Sequence, residues 1–200
     1  MRPQDWDERH ADDTRRWSGA ASPRLVAEID GLPPGRALDL ACGQGRNAVW
    51  LAERGWSVTA VDFSPVGLAK ARARAAELGV DVDWVESDLL EFEPEPAAYD
   101  LALVFYLHVS QPDRGTVLRT AARALAPGGT FLLVGHDRAN LGHGHGGPRD
   151  PRVLYTTDEI AADLSGLRVE RTEQLARPVE TDDGERVALD LLVRATRSGS

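Results

Sequence analysis

The sequence has little cysteine, no long apolar segment and no excess of basic charge. Its 200 residues include one cysteine, Cys42, which excludes an internal disulfide framework and favours a reducing compartment. The longest strongly apolar run, Leu101 to Leu107, is far shorter than the ~18 residues that predict a membrane span. The charged N-terminal residues lack the apolar core of a signal peptide. We therefore expect a cytoplasmic protein with no membrane partner.

The charge balance also argues against a nucleic-acid partner. The chain carries 23 Lys and Arg against 32 Asp and Glu, a formal net charge of −9, and shows no basic stripe. Such a surface repels a polyanion, so the expected substrate is a small molecule. The length and the 42% hydrophobic content fit one α/β domain. We expect an N-terminal arm or lid over residues 1–21 and the domain over residues 22–200; the oligomeric state stays open.

The most informative stretch is Arg36 to Asn47, with the sequence RALDLACGQGRN. Apolar residues run into a turn with two glycines, Gly43 and Gly45, and a helical pattern follows. Glycines allow backbone N–H groups to approach a ligand, and a helix N-terminus favours a negative group. The stretch predicts a strand, a ligand-binding glycine turn and a helix.

Further strands and helices alternate along the chain. Strands are predicted over 58–61, 82–85, 100–106 and 130–135, with helices after Ser64-Pro65 and after Ser110, the latter ended by Pro127-Gly128-Gly129. This alternation predicts βαβ units and a mostly parallel, doubly wound sheet. Short strands at 167–169 and 187–193, flanking a turn at Asp182-Asp183-Gly184, predict an antiparallel C-terminal hairpin.

The glycine turn alone leaves two ligand classes open. Gly43-x-Gly45-x-x-Ala48 satisfies a loose dinucleotide fingerprint, which would suit NAD or FAD. Carboxylates favour another ligand: Asp39 inside the first strand suits an ammonium group, and Asp62 at the end of the second suits ribose hydroxyls. Asp88 ends the third strand, where it suits a purine amino group. Ligands of open α/β sheets bind at these strand ends.

Five successive motifs carry a family resemblance: DLACGQGRN, AVDFS, SDLLEF, YDLALVFYLH and LAPGGTFLLVG. They resemble the motifs of class I S-adenosylmethionine-dependent methyltransferases, and GQGRN with TDDGER…LLVRATR is similar to the tellurite-resistance and thiopurine-like small-molecule methyltransferases. The resemblance implies a seven-stranded Rossmann-like sheet with an antiparallel C-terminal hairpin, and S-adenosylmethionine as cofactor. The implied cofactor-binding residues are Asp39, Ala41, Gly43, Gly45, Asn47, Asp62, Phe63, Asp88, Leu89 and Phe105. The histidine that tellurite-type proteins place before the TD…G turn is absent, since Arg177-Pro178-Val179-Glu180 stands there.

The expected chemistry is in-line methyl transfer, which depends mainly on positioning and needs no obvious base. His108 and His136 follow the fourth and fifth strands and are the candidate catalytic residues, while Trp17 and Tyr106 are candidates for substrate contact. His136, His143 and His145 could suggest a metal site, but the glycine-rich loop around them offers little rigidity. We expect no metal and interpret this loop as a mobile rim of the pocket. The predicted activity is methyl transfer to a small molecule such as a thiol or a metalloid oxyanion. The alternatives are a non-catalytic cofactor-binding module and an NAD-dependent oxidoreductase.

Overall fold

The computed structural model describes residues 3–12, 19–181 and 183–199. Its helices are α1 (Pro3–Ala11), α2 (Pro23–Glu28), α3 (Arg46–Ala52), α4 (Pro65–Leu78), α5 (Gln111–Ala124), α6 (Asn140–His143) and α7 (Thr157–Asp163), with a 3₁₀ turn at Pro151–Val153. Its strands are β1 (Arg36–Leu40), β2 (Ser57–Asp62), β3 (Asp83–Glu86), β4 (Tyr99–Phe105), β5 (Leu125–His136), β6 (Leu167–Thr181) and β7 (Gly184–Arg197).

These strands form one seven-stranded sheet in the order β3-β2-β1-β4-β5-β7-β6. The first five strands in this order, β3-β2-β1-β4-β5, are parallel to one another. β7 lies between β5 and β6 and is antiparallel to both. The predicted doubly wound sheet with an antiparallel C-terminal hairpin is confirmed. The chain reverses its direction of progress across the sheet between β1 and β4, and open α/β sheets bind ligands at such a switch point.

Both faces of the sheet are covered, which explains the continuous apolar sequence of its central strands. In β1, Leu38 and Leu40 face a cluster with α5 and α7, whereas Ala37 packs with α2, α3 and α4. Strand side chains alternate between faces, so Asp39 lies on the face that α3 covers. The glycine turn lies at the end of β1 next to this face.

Two predicted boundaries differ from the structure. The helix expected to end at Pro127-Gly128-Gly129 ends at Ala124, because Pro127 disfavours a helical residue before it and the buried Leu125 pairs with Tyr99 instead. The hairpin strands are 15 and 14 residues long, much longer than predicted. β6 is the last strand of the sheet, and its mostly exposed, charged residues hide the strand pattern.

Charged side chains also cover the outer strand β6. Arg168 pairs with Glu170 at 2.7 Å, and Arg171 pairs with Glu28 of α2 at 2.7 Å and with Glu173. These pairs tie the edge of the sheet to the neighbouring helix, although exposed ion pairs add little stability individually.

The helix α1 packs across the N-terminal end of α4. The Ser64 hydroxyl donates to the Asp7 carboxylate at 2.5 Å, and the His10 ring is buried beside Gly43 and Gly67. The expected N-terminal arm therefore contains the helix Pro3–Ala11, which adjoins the glycine turn. Its separation from the rest of the chain as a lid at residue 21 stays a prediction.

Candidate active site

A cavity of about 1350 Å³ opens at the carboxyl ends of β1, β2, β4 and β5. Its wall combines the glycine turn, the ends of these strands and the helix α1. Ala41 and Tyr106, which follow β1 and β4, have φ values of 64° and 56°. Left-handed conformations are costly for residues other than glycine and concentrate at functional sites. Two neighbouring strands thus both turn sharply at the cavity.

The two glycines of the turn have different roles. Gly43 has a φ of 55° and lines the cavity, so its backbone is open to a ligand. Gly45 has a φ of 72°, and a Cβ there would lie 2.5 Å from the Trp84 ring and 2.8 Å from Ala71. Gly45 therefore lets α3 begin close against α4 and β3, and it lies outside the cavity wall.

Asp62 joins the glycine turn to the end of β2. Its carboxylate accepts hydrogen bonds from the Gly43 N–H at 2.8 Å and the Ser64 N–H at 2.9 Å. Burial raises the pKa of Asp62, and these two hydrogen bonds oppose the shift. Each carboxylate oxygen has a further lone pair, so Asp62 can still accept from a ligand hydroxyl.

Asp39 and Arg46 place opposite charges on the same part of the wall. Asp39 is 2% exposed, and its Oδ2 has no hydrogen-bond partner among the described residues. Burial raises the pKa of Asp39 to about 7, and the nearby Arg46 partly opposes this. Burial in turn lowers the pKa of Arg46. A buried carboxylate oxygen without a donor is costly, so a cationic or hydrogen-bonding ligand would satisfy it.

A second polar group lies at the ends of β4, β5 and β7. The Tyr106 hydroxyl donates to Asp190 at 2.8 Å, and the Arg177 Nε donates to the same carboxylate at 2.6 Å. The His136 Nδ1 lies 3.1 Å from the other Asp190 oxygen, because the two residues are direct partners in the β5–β7 register. Burial alone would raise the pKa of Asp190, but the adjacent His136 and the hydrogen bonds from Arg177 outweigh it and lower the pKa; the His136 Nδ1 is close to Asp190 without the alignment of a hydrogen bond. Asp190 is therefore an ionised orienting group.

Three flat side chains stack along this side of the cavity. The ring of His108 is parallel to that of His136, with ring centres 5.4 Å apart. The ring of Trp6, in α1, also stacks on His108, with ring centres 5.9 Å apart. Neither ring nitrogen of His108 has a hydrogen-bond partner within the described chain. Burial and the adjacent His136 lower the pKa of His108 to about 3, so its ring is neutral at physiological pH. His108 thus acts as an uncharged wall in this arrangement.

Most of the residues predicted from the sequence meet in this cavity. Those on its wall are Asp39, Ala41, Gly43, Asn47, Asp62, Phe63, Phe105, Tyr106, His108 and His136. The structure leaves three others outside it: Gly45, described above, the buried core residue Leu89, and Asp88. Asp88 is exposed and accepts a hydrogen bond from the Leu90 N–H at 2.9 Å. Trp17 falls outside the described residues.

The sequence analysis gave no role to Trp6, His10 and Arg177 of the wall, or to Asp190, which lies behind the wall in contact with His136 and Arg177. Asp190 could have been found, because it is a carboxylate within the apolar strand pattern of β7, as Asp39 is in β1. Such a residue needs a buried partner. The other three carry no local signal, since remote pairing brings them to the cavity.

Neither a metal site nor a reactive thiol is evident at this site. Across residues 3–12, 19–181 and 183–199, no three His, Cys, Asp or Glu side chains are grouped so that they could hold a metal ion. Cys42 is buried in the glycine turn, and burial raises its pKa well above the usual value. Its thiol is therefore protonated and packs in the core. No helix within the described ranges has the length and apolar character needed to cross a membrane.

Comparisons with known proteins agree with this geometry. Residues 37–129 match a family model described as a methyltransferase domain. The chain is 33% identical over 109 residues to the ubiquinone biosynthesis O-methyltransferase of Pseudomonas aeruginosa, covering 54% of this chain and 47% of that protein. It thus spans about half the length of the curated relatives it matches.

Solved structures share the whole fold at lower identity. An S-adenosylmethionine-dependent methyltransferase from Mesorhizobium loti superposes with a TM-score of 0.68 at 24% identity, covering 88% of this chain and 96% of that one. Magnesium protoporphyrin IX methyltransferase from Synechocystis, solved with bound S-adenosylhomocysteine, gives a TM-score of 0.67 at 20% identity, covering 98% and 83%.

The sheet order, the glycine turn and the strand-end carboxylates together define a Rossmann-like methyltransferase fold. Residues 37–129 match a methyltransferase domain, and the chain is similar to S-adenosylmethionine-dependent methyltransferases of class I. S-adenosylmethionine is the cofactor of this family, and the site fits it. The unpaired Asp39 oxygen suits its ammonium group, and the open backbone of Gly43 leaves room for its methionine part.

Proposed function

We propose that the protein transfers the methyl group of S-adenosylmethionine to a hydroxyl oxygen of a small-molecule acceptor. The observation that carries the proposal is a cavity wall that holds Asp39, Asp62 and His136 together, with Asp190 3.1 Å from His136. The positively charged sulfur of the bound cofactor supplies an activated methyl group.

The residues of the glycine turn would hold the cofactor. Asp39 would meet its ammonium group, Gly43 would pack against its methionine part and Asp62 would accept from its ribose hydroxyls. Phe63 lies next to Asp62 on the wall and would cover the purine. Asp88 and Leu89, which the family resemblance implies for the adenine, lie outside the cavity wall, so their contact with the adenine stays a prediction.

His136 would take the proton from the acceptor. Because Nδ1 faces the ionised Asp190, we assign the ring proton to Nδ1, which leaves Nε2 as the nitrogen that can accept a proton. Asp190 fixes the tautomer and stabilises the charge that develops on the ring, as a carboxylate does for a catalytic histidine in general. The arrangement favours His136 over the neutral, stacked His108 as the catalytic histidine.

A hydroxyl acceptor uses this pair best. A hydroxyl is a poor nucleophile until it loses its proton, whereas a thiol ionises far more easily. The curated relative from Pseudomonas aeruginosa is an O-methyltransferase by name, which supports oxygen as the acceptor atom. Thiols and metalloid oxyanions, expected from the narrower sequence resemblance, remain in the same panel of acceptors.

The test combines cofactor binding with methyl transfer. Calorimetric titration with S-adenosylhomocysteine should show tight binding, and NADH should not bind. Labelled methyl transfer should then be measured to catechols, phenols, thiols, selenite and tellurite. Transfer to a hydroxyl acceptor at a rate that depends on His136 supports the proposal. Binding without transfer to any acceptor would instead favour the non-catalytic module, and binding of NADH alone would favour the oxidoreductase.

A further inference from the structure

The cavity has a charge opposite to that of the protein. Seven Arg and Lys side chains line it against four Asp and Glu, in a chain whose formal net charge is −9. Burial keeps one of the four acids, Asp39, partly protonated near neutral pH, since its pKa is about 7. A basic cavity in an acidic protein attracts a small anion while the outer surface repels larger ones.

Two of the seven cationic groups, Arg46 next to the glycine turn and Arg177 of β6, contact the Tyr106 ring beside His136. The guanidinium carbons of Arg46 and Arg177 are 5.9 Å and 5.7 Å from the centre of the same ring, that of Tyr106. The Tyr106 ring centre is in turn 5.2 Å from the His136 ring centre. A ligand group held by these guanidiniums would therefore be close to the proposed proton acceptor.

The charge of Arg46 has no direct carboxylate partner. Arg46 is half-buried and makes no ion pair or hydrogen bond with a described side chain; its contact is the Tyr106 ring. Burial lowers its pKa, the nearby Tyr106 and Asp39 oppose this shift, and the positive charge of Arg177 adds to it. Arg177 is partly neutralised by Asp190, with its Nε and one terminal nitrogen engaged there. A guanidinium buried next to another cation favours an anionic ligand with two oxygens.

We propose that Arg46, with Arg177 near the same Tyr106 ring, forms a carboxylate-binding subsite and that the methyl acceptor carries a carboxylate. The assignment rests on the proposed methyltransferase function. A carboxylate could also come from the methionine end of the cofactor, and the experiment separates the two sources. Arg46 begins α3 next to the glycine turn, but we favour the acceptor because its guanidinium shares the Tyr106 ring with Arg177, and the centre of that ring is 5.2 Å from that of His136.

The first experiment measures equilibrium binding and needs no turnover. Benzoate and benzamide have nearly the same shape and differ in charge, so their binding to the full chain is compared by ligand-observed NMR with and without S-adenosylhomocysteine. In the presence of S-adenosylhomocysteine, we expect benzoate to bind at least tenfold more tightly than benzamide. Arg46→Gln should remove this preference, Arg46→Lys should keep part of it, and Arg186→Gln should not change it. Arg186 is an exposed residue of β7 outside the cavity, so it is a matched loss of one charge.

The second experiment identifies the source of the carboxylate. S-adenosylhomocysteine and 5′-methylthioadenosine share the nucleoside, but only the former has the amino-acid end. If Arg46→Gln weakens the former alone and leaves the benzoate preference intact, the guanidinium holds the cofactor and the proposal is overturned. Equal binding of benzoate and benzamide to the wild-type protein would overturn it as well.

The third experiment keeps this outcome distinct from the failure of the proposed function. Labelled methyl transfer is compared for 3,4-dihydroxybenzoate and 3,4-dihydroxybenzamide. A carboxylate preference should appear in KM, and Arg46→Gln should raise KM for the benzoate with little change in kcat. Equal turnover of both acceptors would contradict the subsite alone. Absence of S-adenosylhomocysteine binding would contradict the methyltransferase function, while the benzoate titration would still decide the subsite.

Discussion

The two sides of the cavity are built in different ways. The glycine-turn side comes from residues 36–47, in which one strand, one turn and one helix follow without interruption, with Asp62 fastening the turn from the next strand. The opposite side brings together Tyr106, His136, Arg177 and Asp190 from four strands. The family model matches residues 37–129, so it covers the first side and omits three of these four residues. The glycine-turn side, proposed to hold the cofactor, is thus local and recognisable, whereas the opposite side, proposed to hold the acceptor, depends on long-range pairing.

The largest expected effect is on the acceptor side. His136→Ala should lower kcat by about 10² to 10⁴-fold, the usual contribution of a general base, and should leave affinity for S-adenosylhomocysteine nearly unchanged. Labelled methyl transfer and calorimetric titration on the same variant separate the two quantities. Asp190→Asn should lower kcat in the same direction, because the His136 ring loses its orienting charge. If both variants retained full kcat, His136 and Asp190 would have no catalytic role.

A comparable change on the glycine-turn side should act on binding. Asp62→Ala removes charge-assisted hydrogen bonds of about 1.5–3 kcal/mol, which corresponds to roughly a 10 to 100-fold loss of cofactor affinity. The control is Asp88→Ala, which removes a carboxylate that is exposed and outside the wall; we expect a change below about threefold. Thermal unfolding of both variants checks that the glycine turn stays folded. A larger loss for Asp88 than for Asp62 would reverse these assignments and support the adenine contact that the resemblance implies.

The pH dependence of cofactor binding sharpens the comparison further. The folded-state pKa of Asp39, about 7, exceeds its ordinary value of 3.8. Its contribution to the stability of the ligand-free protein is therefore full below about pH 4 and is lost as the pH rises through 7. Binding of an ammonium group favours the ionised form, so affinity should rise between pH 6 and pH 8, by at most about tenfold per unit. Asp39→Asn should weaken binding and flatten this profile; a profile that keeps its slope would assign the titration to another group.

The smallest effect is expected at the second candidate histidine. His108→Phe preserves a flat ring between Trp6 and His136, and the neutral His108 makes no hydrogen bond that would be lost. We expect kcat within about threefold of wild type by labelled methyl transfer, since a volume-conserving change in a wall costs little. His108→Ala, which opens a gap in the stack, should be the more damaging variant. A loss for His108→Phe as large as for His136→Ala would restore a catalytic role to this residue.

Sequence patterns predicted the parts of the molecule that depend on near neighbours. The order of strands and helices, the glycine turn and the roles open to Asp39 and Asp62 all follow from residues within a few positions of each other. The Asp190–His136 pair does not, because it exists only through the β5–β7 register, in which a shift of one residue would turn Asp190 to the opposite face. The same holds for Trp6, which reaches His108 only through the packing of α1.

The lengths of β6 and β7 were also hidden from sequence reasoning. β7 is paired on both edges, and its burial alternates poorly because both of its faces are partly covered. β6 has charged or other polar residues at most positions, a pattern that predicts a loop between two short strands. A regular alternation of apolar and polar residues is typical of strands in sheets with one face in water. Neither β6 nor β7 has this alternation, so the pattern did not predict their lengths.

The ion-paired outer strand bears on how the protein behaves at high concentration. β6 ends the sheet, and its 15 residues present a long backbone edge that could template the strand of another molecule. The alternating charges of Arg168, Glu170, Arg171 and Glu173 discourage such addition, and Pro178 removes one backbone donor from the same strand. The charged edge therefore guards the hairpin that carries the acceptor side against sheet-to-sheet aggregation.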